Sequence, residues 1–227
     1  MERILDARGD WQSAIAGALA AAPRPIPMDE RLLARTRDGE QIRRMVDRTT
    51  LPPARPAATL LAIYPGDDGR LLIPVTVRHA ELRAHAGEVS LPGGRVDPGD
   101  ASHEAAALRE AWEEIGLEPG SVRILGTLDE VWIPVSNYEL LPFVGAVDRR
   151  PALVPQDAEV DSIVELPLDV LFHEAAVTVE ELTVRGLRIR AGAYRFGGLT
   201  IWGATAMTLS MLAHALADRA RRTDAVR

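Results

Sequence analysis

The apolar positions of the chain keep two periods, and the changes between them divide it into elements. Trp11, Ile15, Ala18 and Leu19 recur at helical spacing, which predicts a first helix. Leu32 and Leu33, then Ile42, Met45 and Val46, predict a second, broken at Gly39 and separated from the first by Pro23, Pro25 and Pro27. Pro52-Pro53-Ala54-Arg55-Pro56 reads as a stiff linker. Apolar runs then predict strands over 57–64, 71–78, 122–128, 139–147 and 160–166, a short helix over 168–173, and a hairpin of 177–184 and 187–190 turning at Gly186. Pro74 within the second strand predicts an edge position or a bulge. The last element, 201–222, is a long helix with Met207, Met211, Leu212 and Leu216 on one face. Helices and strands alternate without a regular βαβ rhythm, so the expected class is α/β, with a mixed sheet between helices. The expected division is an N-terminal helical extension (1–52), a main domain (53–222) and a short tail (223–227).

Between the second and third strands the pattern changes character. Gly93-Gly94-Arg95-Val96-Asp97-Pro98-Gly99-Asp100 is a glycine loop that feeds a helix carrying Arg109-Glu110-Ala111-Trp112-Glu113-Glu114. At about 100° per residue, Glu110, Glu113 and Glu114 share an arc of roughly 100°, while Leu108, Ala111 and Ile115 project from the other side. Carboxylates three and four residues apart repel one another on an isolated helix. A hard divalent cation such as Mg²⁺, which takes oxygen ligands and substrate phosphate, relieves that crowding. Glu113 and Glu114 are the first candidates as ligands; Glu110 is a third ligand or the base that accepts a water proton. Arg109 reads either as an ion-pair partner that holds one of these glutamates or as an ordinary surface arginine.

Composition narrows the class. The 227 residues are enough for one sizeable core, or for one domain with an appendage. A net charge of −7 argues against a general nucleic-acid binder. With no cysteine, disulfides and thiolate chemistry are excluded. The alanine-rich stretch 14–22 follows Asp6 and Asp10 and lacks a strongly apolar centre, so it is not read as a signal peptide. No run of about 18 apolar residues predicts a membrane span, and a cytoplasmic location is the expectation. The arginines at 31, 35, 37, 43, 44 and 48 read as a solvated face or a subunit contact, with a phosphate grip as the other reading; a homodimer through the helical arm is a further expectation.

Gly94, Asp100 and Arg109-Glu110-x-x-Glu113-Glu114-x-Gly116-Leu117 resemble the Nudix box, G-x5-E-x7-R-E-U-x-E-E-x-G-U, of the Nudix hydrolases. Asp100 replaces the first Glu, and one extra residue separates it from Arg109. The resemblance implies an α/β/α sandwich and a divalent-metal-dependent diphosphatase using Mg²⁺ or Mn²⁺. It also implies the Gly93 carbonyl as a further metal ligand, and a second base from a later loop. Glu159 is the first choice for that base, with Glu130 and Glu139 behind it.

Three stretches resemble one branch, the coenzyme A diphosphatases. Thr76-Val77-Arg78-His79, Arg83, Gly87 and Leu91-Pro92-Gly93-Gly94 follow T-x-R-[SA]-x3-R-x3-G-x3-F-P-G-G, with His79 where a small residue is usual and Leu91 where Phe is usual. The box spacing with Asp100 is also that of the branch, and Ile201-Trp202-Gly203-Ala204-Thr205-Ala206 is similar to its I-W-G-x-T-A segment. The implied substrate is coenzyme A or an acyl-CoA, cleaved to 3′,5′-ADP and (acyl-)4′-phosphopantetheine. Arg78, Arg83 and Arg95 are the phosphate-binding candidates, and Trp202 reads as a wall for the substrate or as a core residue. The other readings are a Nudix hydrolase of ADP-ribose, a dinucleoside polyphosphate or a damaged nucleotide, and a nucleotide-binding regulator that does not cleave. The regulator reading fits poorly with a box in which Glu110, Glu113 and Glu114 all survive beside Arg109.

Overall fold

The structure, a computed structural model, describes residues 6–79, 88–155, 160–173, 175–184 and 186–224, with side chains as far as residue 220. Its axis is β1 (Arg55–Pro65), in which Ala57 to Tyr64 are all buried. A strand buried on both sides needs apolar residues at successive positions rather than alternate ones, and this run supplies them. Ala58, Leu60, Ala62 and Tyr64 face one layer, and Leu61 and Ile63 the other.

Around β1 the sheet is mixed. β2 (Leu71–Arg78) returns antiparallel but pairs with β1 only at Tyr64↔Leu72 and Pro65↔Leu71, then continues to β3 (Val89–Ser90). The edge of β1 that β2 leaves is taken by β4 (Gly93–Arg95), through Ala57↔Arg95, Ala58↔Gly94 and Thr59↔Gly93. On its other edge β1 runs parallel to β7 (Tyr138–Val147), which also pairs with β5 (Val122–Thr127) and β6 (Val131–Ile133). β8 (Val160–Pro167) lies along β2. β2 is an interior strand, but Pro74 pairs only with β8 and is locally at an unpaired edge. It is tolerated because residues 73–75 fall between the segments of β2 that pair with β1 and with β3, and the one irregularity of the β2–β8 ladder lies further on, at Val77/Arg78.

Helices cover both faces. On one side α1 (Trp11–Ala21) packs on the long C-terminal helix and on β5, burying Trp11, Ile15, Ala18 and Leu19 in the same core as Leu61 and Ile63. Two corrections to the expected elements belong to this side. Residues 28–46 are not a second helix. They form a 3₁₀ turn at Glu30–Leu32, a backbone bridge from Arg35 to Arg190, and a single helical turn, α2 (Ile42–Met45). The Arg35 N–H donates to the Arg190 carbonyl at 2.8 Å and receives the return bond at 2.9 Å; Gly39, at φ +88°, turns the chain so that Arg35 also bridges Gln41. Strand-type pairing with a distant segment overrides the local spacing of the leucines. The hairpin over 177–190 is also longer than expected: β9 (Val177–Val184), β10 (Leu187–Phe196) and β11 (Leu199–Ile201) make a separate antiparallel sheet.

The opposite face carries α3 (His103–Ile115), which buries Ala106, Ala107, Ala111 and Ile115 against β1. Ser102 caps its start by accepting the Ala105 N–H at 3.1 Å, a contact worth about 1 kcal/mol. Gly116 ends it at φ +68°, and Leu117 donates back to the Ala111 carbonyl at 3.3 Å. The C-terminal helix α4 (Gly203–Asp224) begins after β11. The expected α/β sandwich with a mixed sheet between helices is the observed architecture. Among the described residues no helix is long and apolar enough to cross a membrane.

Candidate active site

The glycine loop is bound to β1 by backbone contacts that tolerate no side chain. A Cβ on Gly93 would lie 2.4 Å from the Ala58 carbonyl oxygen and 2.6 Å from Thr59 Cα. The Pro92 carbonyl accepts the Leu60 N–H at 2.9 Å and the Thr59 hydroxyl at 2.6 Å, and the Val96 N–H donates to Pro56 at 3.1 Å. Thr59 is the residue sequence reasoning missed here. Its signal is a small hydroxyl within a run of buried residues, where it must find a partner.

From the loop the chain enters α3, and Arg109 ties the two together. Its Nε and Nη2 donate to Asp100 Oδ1 and Oδ2 at 2.9 and 3.0 Å. Nη1 donates to Glu110 Oε1 at 3.0 Å and Glu113 Oε2 at 2.8 Å, and Nη2 also reaches the Arg95 carbonyl at 3.1 Å. Every N–H of the guanidinium is used, which lysine has neither the number nor the fork geometry to copy. Arg109 thus holds two glutamates rather than one, and it holds Asp100 as well. The shorter aspartate, with its additional spacer residue, makes the bidentate contact, and its Oδ2 also accepts the Asp97 N–H at 2.8 Å.

The charges respond accordingly. The Arg109 guanidinium, helped by the Asp97 N–H, holds the Asp100 carboxyl down at about 2. The same bonds raise Arg109 further above its ordinary value. Burial pushes the Glu110 carboxyl up, against the pull of Arg109, and the neighbouring charges of Glu113 and Asp97 add to the rise. Glu110 is therefore a better proton acceptor than a free carboxylate.

The donor set suits a hard cation. Glu114 Oε2 lies 3.3 Å from the Gly93 nitrogen, from which it accepts a hydrogen bond. A Cβ on Gly94 would sit 2.6 Å from the Glu110 carboxyl carbon, so the bare glycine is what lets that carboxylate lie against the loop. Only oxygen donors gather there, as Mg²⁺ and Mn²⁺ require. Glu110 and Glu114 lie against the glycines without forming a finished cage, and no three acidic or histidine side chains converge on one point among the described residues.

The remaining candidates are distributed more widely. Arg95 turns its carbonyl to Arg109 and pairs its exposed side chain with Asp97 at 2.6 Å. Arg78 ends β2, and its N–H donates to the Glu88 carbonyl at 3.0 Å. Glu139 pairs with Arg48 at 3.1 Å. Arg83 and Glu159 lie outside the described residues. Two of the segments singled out in the sequence meet at β3, the strand before the loop. Thr76 Oγ1 lies 2.8 Å from Ser90 Oγ and 3.2 Å from the Ser90 carbonyl, and β11, with Ile201, packs on β3 from the other direction.

Across the sheet from α3 lies a cavity of about 640 Å³ that sequence reasoning missed, because its walls come from distant segments. Ile26, Met28, Leu32 and Leu33 form one side, Val131 to Val135 another, and Trp202, Ala204, Met207 and Met211 the floor; Glu130 is on its rim.

The sequence profile of the NUDIX domain matches residues 53–185. The chain is 36% identical over 172 residues to the uncharacterised Nudix hydrolase NudL of Escherichia coli K12, spanning 76% of this chain and 88% of that protein. It is 34% identical over 176 residues to the NudL of Pectobacterium atrosepticum, spanning 74% and 90%. Among solved structures, a Nudix hydrolase from M. smegmatis, RenU, aligns over 86% of this chain and 94% of its own, at 17% identity and a TM-score of 0.47. With its domain and relatives of that kind, the chain belongs to the Nudix family and is a hydrolase of phosphorus-containing anhydrides.

Proposed function

We propose that the chain is a coenzyme A diphosphatase, cleaving coenzyme A or its thioesters to 3′,5′-ADP and 4′-phosphopantetheine or the acylated form. The observation that carries this reading is the meeting at β3: two branch-like sequences, more than a hundred residues apart, both bear on the strand that delivers the catalytic loop.

The residues that would hold Mg²⁺ or Mn²⁺ are Glu110, Glu113, Glu114 and the Gly93 carbonyl. Bound there, the ion supplies charge neutralisation on the diphosphate and a water of lowered pKa. The protein's own part is positional. Arg109 binds one oxygen of Glu110 and one of Glu113, and the Glu110 carboxylate lies against the loop at Gly94. Glu110 Oε2, left free of Arg109, is the atom that accepts the proton of the attacking water; Glu159 is the second choice for that task. Arg78, Arg83 and Arg95 are the cations for the diphosphate and the 3′-phosphate, and bidentate arginine contacts suit both.

The test is mass spectrometry of coenzyme A incubated with the full chain and either metal, beside a Glu114→Gln control. The expected products are 3′,5′-ADP and phosphopantetheine, formed only by the unaltered protein with metal. Turnover of ADP-ribose or another nucleotide diphosphate, with coenzyme A left intact, overturns the substrate and keeps the hydrolase.

A further inference from the structure

We propose that the cavity across the sheet from α3 is the pocket for the thiol end of the substrate, and that it selects acyl thioesters over free coenzyme A. The inference rests on the coenzyme A reading and adds to it which form of the substrate the chain prefers and which residues decide.

The sheet itself supplies a ruler. Arg95 pairs with Ala57, Ala57 with Leu140, and Leu140 with Val131, which lines the cavity. Residues directly opposite one another point to the same face, and strands are spaced about 4.8 Å apart, so three steps separate the loop from the cavity wall by about 14 Å. The pantetheine arm runs through twelve bonds from its phosphate ester oxygen to sulfur. That is the backbone length of four residues, about 14 Å when extended. Gly94 faces α3 and Arg95 the cavity side of the sheet. An arm that leaves a diphosphate at the loop on the Arg95 side therefore has the length to bring the sulfur to the cavity wall, and whatever the sulfur carries goes inside. The floor is joined to the loop as well, since Trp202 follows β11, the strand packed on β3.

The lining chooses between the ends of the molecule. Arg43, Arg44 and Arg48 also line the cavity but are exposed. Its buried lining includes Leu32, Val131 and Met211, and placing the charged adenosine 3′-phosphate among those side chains without partners is costly. An alkyl chain has no such cost. The volume of about 640 Å³ is that of a small-molecule pocket. The space opens to solvent past Val135 and Leu187, 46% and 68% exposed, so a ligand has a way in.

The experiment compares kcat/KM for coenzyme A and for its acetyl, butanoyl, octanoyl and dodecanoyl thioesters, using the full chain with Mg²⁺. Each methylene buried in the pocket strengthens binding, so the octanoyl thioester is expected to exceed coenzyme A by about tenfold or more. Ala204→Phe, which fills the pocket, should bring that ratio toward one. Met207→Ala, which enlarges it, should move the optimum to a longer chain, a gain that a merely damaged protein does not produce. Equal kcat/KM at every chain length, with coenzyme A cleaved, overturns this inference and leaves the proposed function standing. A ratio unchanged in both variants also overturns it, and a changed oligomeric state in Ala204→Phe would then identify the cavity as a contact between subunits. No cleavage of coenzyme A or of any thioester removes both readings.

Discussion

The two faces of the central sheet are ordered by opposite means. On the α3 face, the acidic site is made from one continuous stretch, residues 93–114, with Arg109 donating to Asp100, Glu110, Glu113 and the Arg95 carbonyl. On the other face, the cavity is closed by segments near residues 25–34, 42–48, 129–135, 184–189 and 202–211, and its buried walls are apolar side chains, with exposed arginines at 43, 44 and 48. The contrast separates two tasks. A carboxylate cluster needs fixed directions, and directions are cheapest to fix within one turn of helix and the loop that precedes it. A pocket for an apolar arm needs volume, which can be assembled from any part of the chain. Substitutions on the α3 face should therefore strike turnover with little effect on stability, and substitutions in the cavity should alter selectivity.

The largest effect is expected at the carboxylates proposed to hold the metal. Glu114→Gln keeps the shape but removes a charge that would bind the ion, and turnover should fall by about a thousandfold, within the range for lost acid–base or metal chemistry. Chelating the metal should abolish turnover of the unaltered protein in the same way. The thermal midpoint of Glu114→Gln should stay within a few degrees of the unaltered protein. A large loss of stability in this variant would mean that the α3 face is a structural cluster, and the comparison between the faces would fail.

Arg109→Lys comes next. It keeps one positive charge and loses the fork that reaches three carboxylates at once. Disturbing a group that orients metal ligands typically costs 10–100-fold in metal affinity or activity, and the metal concentration giving half-maximal rate should rise by about that factor. A loss of the same size with no change in metal dependence would assign Arg109 to the substrate instead.

This division also explains what the sequence disclosed. Helical spacing and the glycine loop made the charged side chains of the α3 face legible, because the contacts among Asp100, Arg109, Glu110, Glu113 and Gly93 with Glu114 are within about twenty positions, whereas Thr59, which is 33 positions from Pro92, was missed. The strand pattern made the central sheet legible too, since buried runs such as Ala57 to Tyr64 admit few other readings. The segment 28–46 was misread as helix because its fate is decided by Arg190, about 155 positions away, which takes the backbone of Arg35 into a bridge. The cavity was invisible for the same reason. Met207 and Met211 look like ordinary core filling until Leu32 and Val131 are known to stand opposite them.

A smaller effect distinguishes two glycines of the loop. Gly94→Ala places a methyl against the Glu110 carboxylate, at 2.6 Å from its carbon, whereas a methyl on Gly99 meets nothing within 4 Å. The glutamate side chain can swing aside, so stability should hardly change. Turnover by Gly94→Ala should fall by about tenfold through a displaced ligand, and Gly99→Ala should match the unaltered protein. Equal turnover in the two variants would mean that Glu110 works from a position away from the loop.

The smallest expected effect is one of pH, and it tests Arg109 from its other side. Asp100 titrates at about 2 in the folded chain, against about 3.9 in an unfolded one. Folding therefore favours the ionised carboxyl. Its contribution is present in full above about pH 5 and is lost as pH falls through about 2, below which both states are protonated. Asp100→Asn removes the titrating group, so its thermal midpoint should lie below that of the unaltered protein at neutral pH, with the gap closing over that acidic window. Other carboxyls titrate in the same range, but they do so in both proteins, and the difference between the two isolates Asp100. A gap that stays constant from neutral pH down to pH 2 would mean that the aspartate contributes shape alone. The Nudix box would then be held at this point by packing and not by the Arg109–Asp100 charge pair.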